Sequence, residues 1–277
     1  MKGVISYSLF GFNKERQDNC FVFGDYLRGL SVNIRLAELL YPNWDIILHT
    51  DQSTYDGLRD ILTQLPIKIT ICEDAPLTKA MLWRMKPCYN PDYTHVICRD
   101  LDSPLTYREA QAVKYWTNRD KAAHAISDSI SHGIPMMGGM VGFKPRNFMD
   151  YTGFRTWNAL VDGKGLDYTK KGADQDLLNM YVYQCFAKHG SDSITQHYVL
   201  GMPNTFLSDC HNFIHDLELD IPHELKETND LCGHIGAAGY YSAPMLKFVL
   251  KYKERFSYLW EIESQHKDLY YWTNENI

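Results

Sequence analysis

The residues best suited to chemistry lie in residues 94–108, THVICRDLDSPLTYR, where an apolar segment runs into Asp100-Leu101-Asp102 and a helical pattern begins shortly afterwards. Residues 94–98 read as a central strand, and alternation along an extended chain sends Asp100 and Asp102 to the same side. Two carboxylates leaving a sheet together make an oxygen-donor site for a hard cation such as Mn²⁺ or Mg²⁺, which usually shares its ligand shell with substrate phosphates. Ligands of open α/β sheets also gather outside the carboxyl ends of the strands. An isolated Asp-x-Asp is equally a turn or a helix cap, so the surrounding elements must decide.

Those elements alternate. Residues 3–9, 45–49 and 67–72 read as strands, each followed by a helical pattern, at 26–40, 54–62 and 78–85. Residues 94–98 form the fourth strand and 107–117 the next helix, with Glu109 near its favourable amino end. This order predicts a parallel sheet covered by helices, with the Asp pair after three strand–helix units. Beyond residue 120 a short strand is expected at 124–127, then a glycine-rich apolar segment at 135–143, then helices at 147–160, 174–187 and near 244–263. Residues 1–120 read as a nucleotide-binding half and 121–277 as an acceptor half of one domain, with no Pro/Gly/Ser-rich linker between them.

A length of 277 residues suits one sizeable α/β domain. A net charge of −6, with no long Lys/Arg cluster, argues against a nucleic-acid surface. Seven scattered cysteines without a CxxC pair suggest reduced thiols and a cytoplasmic protein. No signal-peptide pattern and no apolar run of membrane-spanning length is evident, so no membrane span is expected.

Four segments carry a family resemblance: Trp83-Arg84, Arg99-Asp-Leu-Asp-Ser103, Gly138-Gly-Met-Val-Gly-Phe143 and Gly172-Ala-Asp-Gln-Asp-Leu-Leu-Asn179. Their order resembles that in glycosyltransferases of the GT-A fold, notably glycogenin-like and bacterial galactosyltransferase-like families. RDLDSPLTYRE with the later GGMVGFKP is also similar to small transferases of large algal viruses and capsule-building bacteria. The resemblance implies a Rossmann-like sheet and a metal-dependent transfer of one sugar from a nucleoside-diphosphate sugar to a hydroxyl of an oligosaccharide or glycoprotein glycan. It suggests a UDP-sugar, UDP-xylose among them, and the host cytoplasm if the viral likeness holds. It also implies a late His as third metal ligand, here His234 in Cys232-Gly-His-Ile-Gly236, although Ala237-Ala238-Gly239 replaces the Lys-Pro-Trp expected next.

The candidate residues follow. Asp100, Asp102 and His234 would hold metal, with His211 and His215 competing for the third place. Arg84 and Lys79 lie on the helix preceding the metal strand, where the resemblance implies a cation near phosphate or donor sugar and a guanidinium fork matches phosphate oxygens; the alternative for both is a solvated helix face, and Arg99 joins the donor-binding set. Tyr7 and Ser8 end the first strand and Asp51 the second, positions from which base and ribose can be held. Gly138 and Gly139 permit close backbone approach to a ligand or meet a turn requirement. Asp174 leads as catalytic carboxylate, its alternative being a helix N-cap; Asp128, with His132, comes second. Tyr270, Tyr271 and Trp272 would stack on a sugar or dock the tail. Rival functions are a phosphatase with Asp100 as nucleophile, a nucleotidyltransferase, and a non-catalytic glycan-binding protein.

Overall fold

The computed structural model describes residues 2–12, 23–129, 131–190, 193–198, 210–212, 222–238 and 243–273. Strand β1 (Gly3–Leu9) leads to helix α1 (Phe23–Leu40), and β2 (Asp45–Asp51) to two short helices, α2 (Gln52–Gly57) and α3 (Arg59–Leu62). After β3 (Lys68–Cys72), helix α4 (Leu77–Met81) tightens into a 3₁₀ helix, Leu82–Tyr89, ahead of β4 (His95–Arg99) and α5 (Tyr107–Thr117). Strands β5 (Ala123–Ser127) and β6 (Met140–Phe143) come next, then helices α6 (Pro145–Thr152) and α7 (Trp157–Asp162). Helix α8 (Ala173–Asp176) continues through a π-helical stretch, Leu177–Val182, into α9 (Tyr183–Lys188). Strands β7 (Ile194–Tyr198) and β8 (Cys210–Asn212) precede a 3₁₀ helix at His223–Leu231 and helices α10 (Ala243–Lys251) and α11 (Ser257–Gln265).

The eight strands form one sheet in the order β3-β2-β1-β4-β6-β5-β7-β8. The expected mostly parallel α/β sheet is present. Among the described strands only β6 runs antiparallel, pairing with β4 on one side and β5 on the other. One sheet therefore crosses both expected halves of the chain.

Alternation divides the core between two faces. Ile5, Tyr7 and Leu9 of β1 and Ile97 of β4 pack toward α1, α5 and the carboxyl-terminal helices. Val4, Val96 and Cys98 point the other way, toward the 82–89 segment, α6, α7 and the 173–188 helix. Both faces are covered, so these strands read as near-continuous apolar runs rather than an in–out alternation. A buried Arg35–Glu263 ion pair joins α1 to α11, and the Trp272 indole N–H donates to the same carboxylate at 2.9 Å. Tyr270 and Trp272 are 1% exposed. Tyr270 and Trp272 are thus docked core and not a sugar platform, while Tyr271 is half-buried.

Several expected helices divide. The one expected at 147–160 stops where Gly153 takes a left-handed φ of 73° as the C-cap of α6, and Thr156 starts α7 by accepting from the Ala159 amide. The one expected near 244–263 is two helices, α10 and α11.

Candidate functional site

At the carboxyl ends of β1 and β4 a cavity of about 220 Å³ is lined by Ser8, Phe10, Tyr26, Arg84, Asp100 and Asp102, with Gly236 from the late segment on its wall. Strand β4 ends at Arg99, and Asp100–Ser103 is a turn, closed by the Ser103 amide donating to the Asp100 carbonyl at 3.4 Å. Helix α1 fastens that turn. Asn33, fully buried, donates through Nδ2 to the carbonyls of Leu101 (3.2 Å) and Ser103 (3.1 Å) and accepts the Leu105 amide at 2.9 Å. One turn earlier, a Cβ added to Gly29 would lie 1.9 Å from the Leu101 carbonyl oxygen. Only glycine lets α1 come this close. Neither residue stood out in the sequence, because Gly and Asn inside a helical pattern read simply as weak helix formers.

Arg84 is the fixed charge of the site. It is 3% exposed and ion-pairs with Asp100, whose side chain keeps 36% of its surface. Burial works against the guanidinium, yet Asp100, Cys98 and Asp174 hold its pKa above the usual value. The Arg84 amide donates to Ser8 Oγ at 3.1 Å, which fastens the 82–89 helix to the end of β1. Asp102 is pushed up to about 7, first by burial and then by the charge of Asp100, against a hydrogen bond from Tyr26. Two carboxylates thus crowd one cavity. A cation bound between them would favour both ionised forms.

Gly138 and Gly139 cover the ion pair. A Cβ on Gly139 would sit 1.8 Å from Asp100 Oδ2, and one on Gly138 would sit 2.4 Å from an Arg84 guanidinium nitrogen. Close approach is therefore the physical requirement at both glycines. Asn179 holds this segment: it donates to the Met136 carbonyl and accepts the Met136 amide, both at 2.9 Å.

Asp174 is 3% exposed and stands close enough to Arg84 and Asp100 to feel both charges. Its pKa is raised by burial, against the pull of Arg84. Gly172, in a left-handed conformation, is the N-cap of α8 and no side chain caps it, so Asp174 does not serve as the cap. Gln175 donates to Asp174 Oδ2 at 3.3 Å. The π-helical stretch begins two residues later, a distortion often found beside functional side chains.

Other candidates lie elsewhere. Asp51, 1% exposed, accepts the amides of Gly11 (2.9 Å) and Thr54 (2.8 Å) and the hydroxyls of Ser53 and Thr54. Burial raises its pKa, but these bonds prevail and hold it low. It caps α2 rather than facing the cavity. Tyr7 is sealed in the core, its hydroxyl without a partner and its pKa raised first by burial and then by Glu109. Lys79 pairs with Asp162 at 2.6 Å. Arg99, 2% exposed, ion-pairs with Glu109 and donates to the carbonyls of Cys98 (2.8 Å) and Val141 (3.1 Å), binding β4 to β6 behind the turn.

Asp128 closes β5 with Oδ2 accepting from Arg108 and, at 2.7 Å, from the Ile235 amide. His132 Nδ1 accepts the Asp128 amide at 2.9 Å, and its ring meets that of His234 at 5.1 Å. His234 therefore groups with His132 and Asp128, and the late segment reaches the cavity through Gly236. Among the described residues no three His, Cys, Asp or Glu side chains converge as a metal site. The side chain of His211 and all of His215 lie outside the described residues. The five cysteines whose side chains are described are free thiols, and no described helix is long and apolar enough to cross a membrane.

No family model matches this chain, and no curated protein does. Solved structures resemble it at low identity. A protein described as a nucleotide-diphospho-sugar transferase from Desulfovibrio desulfuricans is 13% identical, covering 74% of this chain and 84% of its own, with a TM-score of 0.44. A cytidylyltransferase from Leptospira borgpetersenii is 9% identical over 93% of this chain and 95% of its own, also at 0.44. TarS from S. aureus is 11% identical over 67% of this chain and 55% of its own, at 0.39. At these identities and scores the function has to be argued from the side chains.

Proposed function

We propose that this chain is a metal-dependent glycosyltransferase that moves one sugar from a nucleoside-diphosphate sugar, a UDP-sugar such as UDP-xylose among the candidates, to a hydroxyl of a glycan. The observation that carries this reading is the convergence of Asp100, Asp102 and Arg84 on one cavity at the carboxyl end of the sheet, with Asp174 within electrostatic reach of the same guanidinium. The donor set suits Mn²⁺ or Mg²⁺, since two carboxylates leave the remaining positions to phosphate oxygens and water. Bound there, the metal would supply Lewis-acid stabilisation of the departing diphosphate. Arg84, held by Asp100 and the Ser8 contact, adds a preorganised positive charge without rearranging. Gly138 and Gly139 bring backbone, not side chains, against the carboxylate and guanidinium.

Asp174 then has a distinct task. A carboxylate with a raised pKa suits proton abstraction near neutral pH. It takes the acceptor hydroxyl proton as that oxygen bonds to the anomeric carbon and the bond to the diphosphate oxygen breaks. The nucleoside diphosphate leaves with the bonding electron pair.

The test is a panel of nucleotide-sugars with Mn²⁺ and a mixed glycan acceptor, followed by mass spectrometry of acceptor and nucleotide. Glycan lengthened by one sugar, with equimolar nucleoside diphosphate, is expected, and Asp174→Asn should lower kcat while donor affinity is kept. Formation of sugar 1-phosphate and nucleoside triphosphate once pyrophosphate is added would instead indicate a nucleotidyltransferase. Phosphate release from a generic phosphomonoester would indicate a phosphatase.

A further inference from the structure

A second hollow is larger than the one just discussed. A cavity of about 510 Å³ opens where β2 and β3 begin, at the amino edge of the sheet and thus at the opposite end from Asp100. Its wall is built around Trp44. A Cβ placed on Gly3 would lie 2.3 Å from both ring-fusion carbons of the indole, so the ring lies flat on the Gly3 backbone. Gly3 makes that face-on contact possible, and the half-buried indole also lines the cavity.

Polar groups stand around the ring. Asp45 engages Lys68 and, at 3.0 Å, Tyr93 through Oδ2 alone, and Glu38 accepts from Tyr258 through Oε1 alone. Among the described residues no hydrogen bond reaches Asp45 Oδ1, Glu38 Oε2 or the Asn43 amide. Lys68, the only cation on this wall among the described residues, is committed to Asp45. A phosphate or nucleotide therefore finds no free positive charge here. An apolar plate bordered by carboxylate oxygens and an amide that both donates and accepts suits a ligand with a C–H face and a rim of hydroxyls. The volume lies within the range of small-molecule sites.

We propose that the Trp44 cavity is a second binding site, for a neutral saccharide ring, remote from the Asp100 cavity and independent of the transfer reaction. A single stacked ring with few hydrogen bonds binds weakly, on the millimolar scale. A proline-containing peptide is the other ligand such an aromatic wall can take, but it would leave the carboxylate oxygens unused.

Saturation-transfer NMR on the full chain tests this, with glucose, galactose, mannose, xylose and N-acetylglucosamine as separate probes and excess UDP with Mn²⁺ as a competitor for the other cavity. Transfer to at least one sugar, undiminished by UDP, is expected; it should be lost in Trp44→Ala and reduced in Asn43→Gly, which removes the amide while keeping the left-handed turn at φ 72°. Trp44→Phe, which keeps a smaller plate, should retain part of the signal and guards against misfolding of the alanine variant. No transfer with any sugar overturns the proposal. So does transfer that UDP abolishes, transfer that survives Trp44→Ala in a folded protein, or transfer only to a proline-containing peptide.

Discussion

Asp102 and Asp128 make an instructive pair. Each follows a strand of the same direction at the same edge of the sheet, and burial raises the pKa of each. Asp102 faces a cavity and a second carboxylate, whereas Asp128 faces Arg108 and the Ile235 amide. Strand-end position alone therefore does not make a carboxylate a ligand-binding group. What covers it decides, and here the late segment that covers Asp128 also supplies Gly236 to the cavity wall.

The sharpest break of this comparison is by paired substitutions. Asp100→Asn with Asp102→Asn should lower sugar transfer by about 10³-fold or more, the scale on which losing preorganised electrostatic groups acts. Stability should move far less than turnover, because the Asp100–Asp102 crowding is relieved while the buried Arg84 guanidinium loses its ion-pair partner. Asp128→Asn should do the reverse. It should destabilise the fold by about 1–3 kcal/mol in urea titration, as its buried hydrogen bonds weaken, with a far smaller loss of turnover per folded molecule.

Gly139→Ala should come next. The new methyl would displace the Asp100 carboxylate, costing about 10²-fold in turnover if the shift approaches an ångström. It should also cost about 1–3 kcal/mol from overpacking. The same substitution at Gly133, which a Cβ would leave without close contacts, is the control.

A pH effect sharpens the contrast between carboxylates and imidazoles. His49 is held down to about 3, first by burial and then by Lys86, and His95 to about 4 by burial and then Lys144. His124, stacked on Trp116, is lower still than a free imidazole for the same reason, burial first. These rings stay neutral in the folded chain but charge in the unfolded one below about pH 6.5. Their contribution is therefore intact above that pH and is lost as pH falls from there toward the folded values. The loss is up to about 1.4 kcal/mol per pH unit for each ring. Chemical denaturation between pH 7 and 5 should show it in the Asp102→Asn background, since the Asp102 carboxyl, raised to about 7, gains stability over the same interval as pH falls and opposes the loss.

The first half of the fold was legible because its strands are apolar on both faces. β1 spans Gly3–Leu9 as read, and α5 spans Tyr107–Thr117 as read. Strand β7 escaped because its interior is polar: Thr195, Gln196 and His197 are all buried, with Gln196 donating to Ser127 at 3.0 Å. Nothing in ITQHY announces a core strand by hydropathy. Within the site, Asp100, Asp102 and Ser8 were readable from strand-end position and Arg84 from the family resemblance, and all four line the cavity. Asp51 and Tyr7 occupy equivalent positions, yet one is consumed by a helix cap and the other faces the core. Gly29 and Asn33 were hidden because their partners are backbone atoms some 70 residues away, a relation that spacing along the chain does not carry.

The central claim is that Asp100 and Asp102 bind a nucleoside diphosphate through a divalent cation. Thermal unfolding with UDP, GDP and CMP, each with and without Mn²⁺, measures this most directly, since a ligand that binds only the folded state raises its midpoint. The account predicts a rise with one nucleoside diphosphate that requires Mn²⁺ and disappears in the Asp100→Asn, Asp102→Asn double variant. A rise of equal size without metal, or one that persists in that variant, would contradict it.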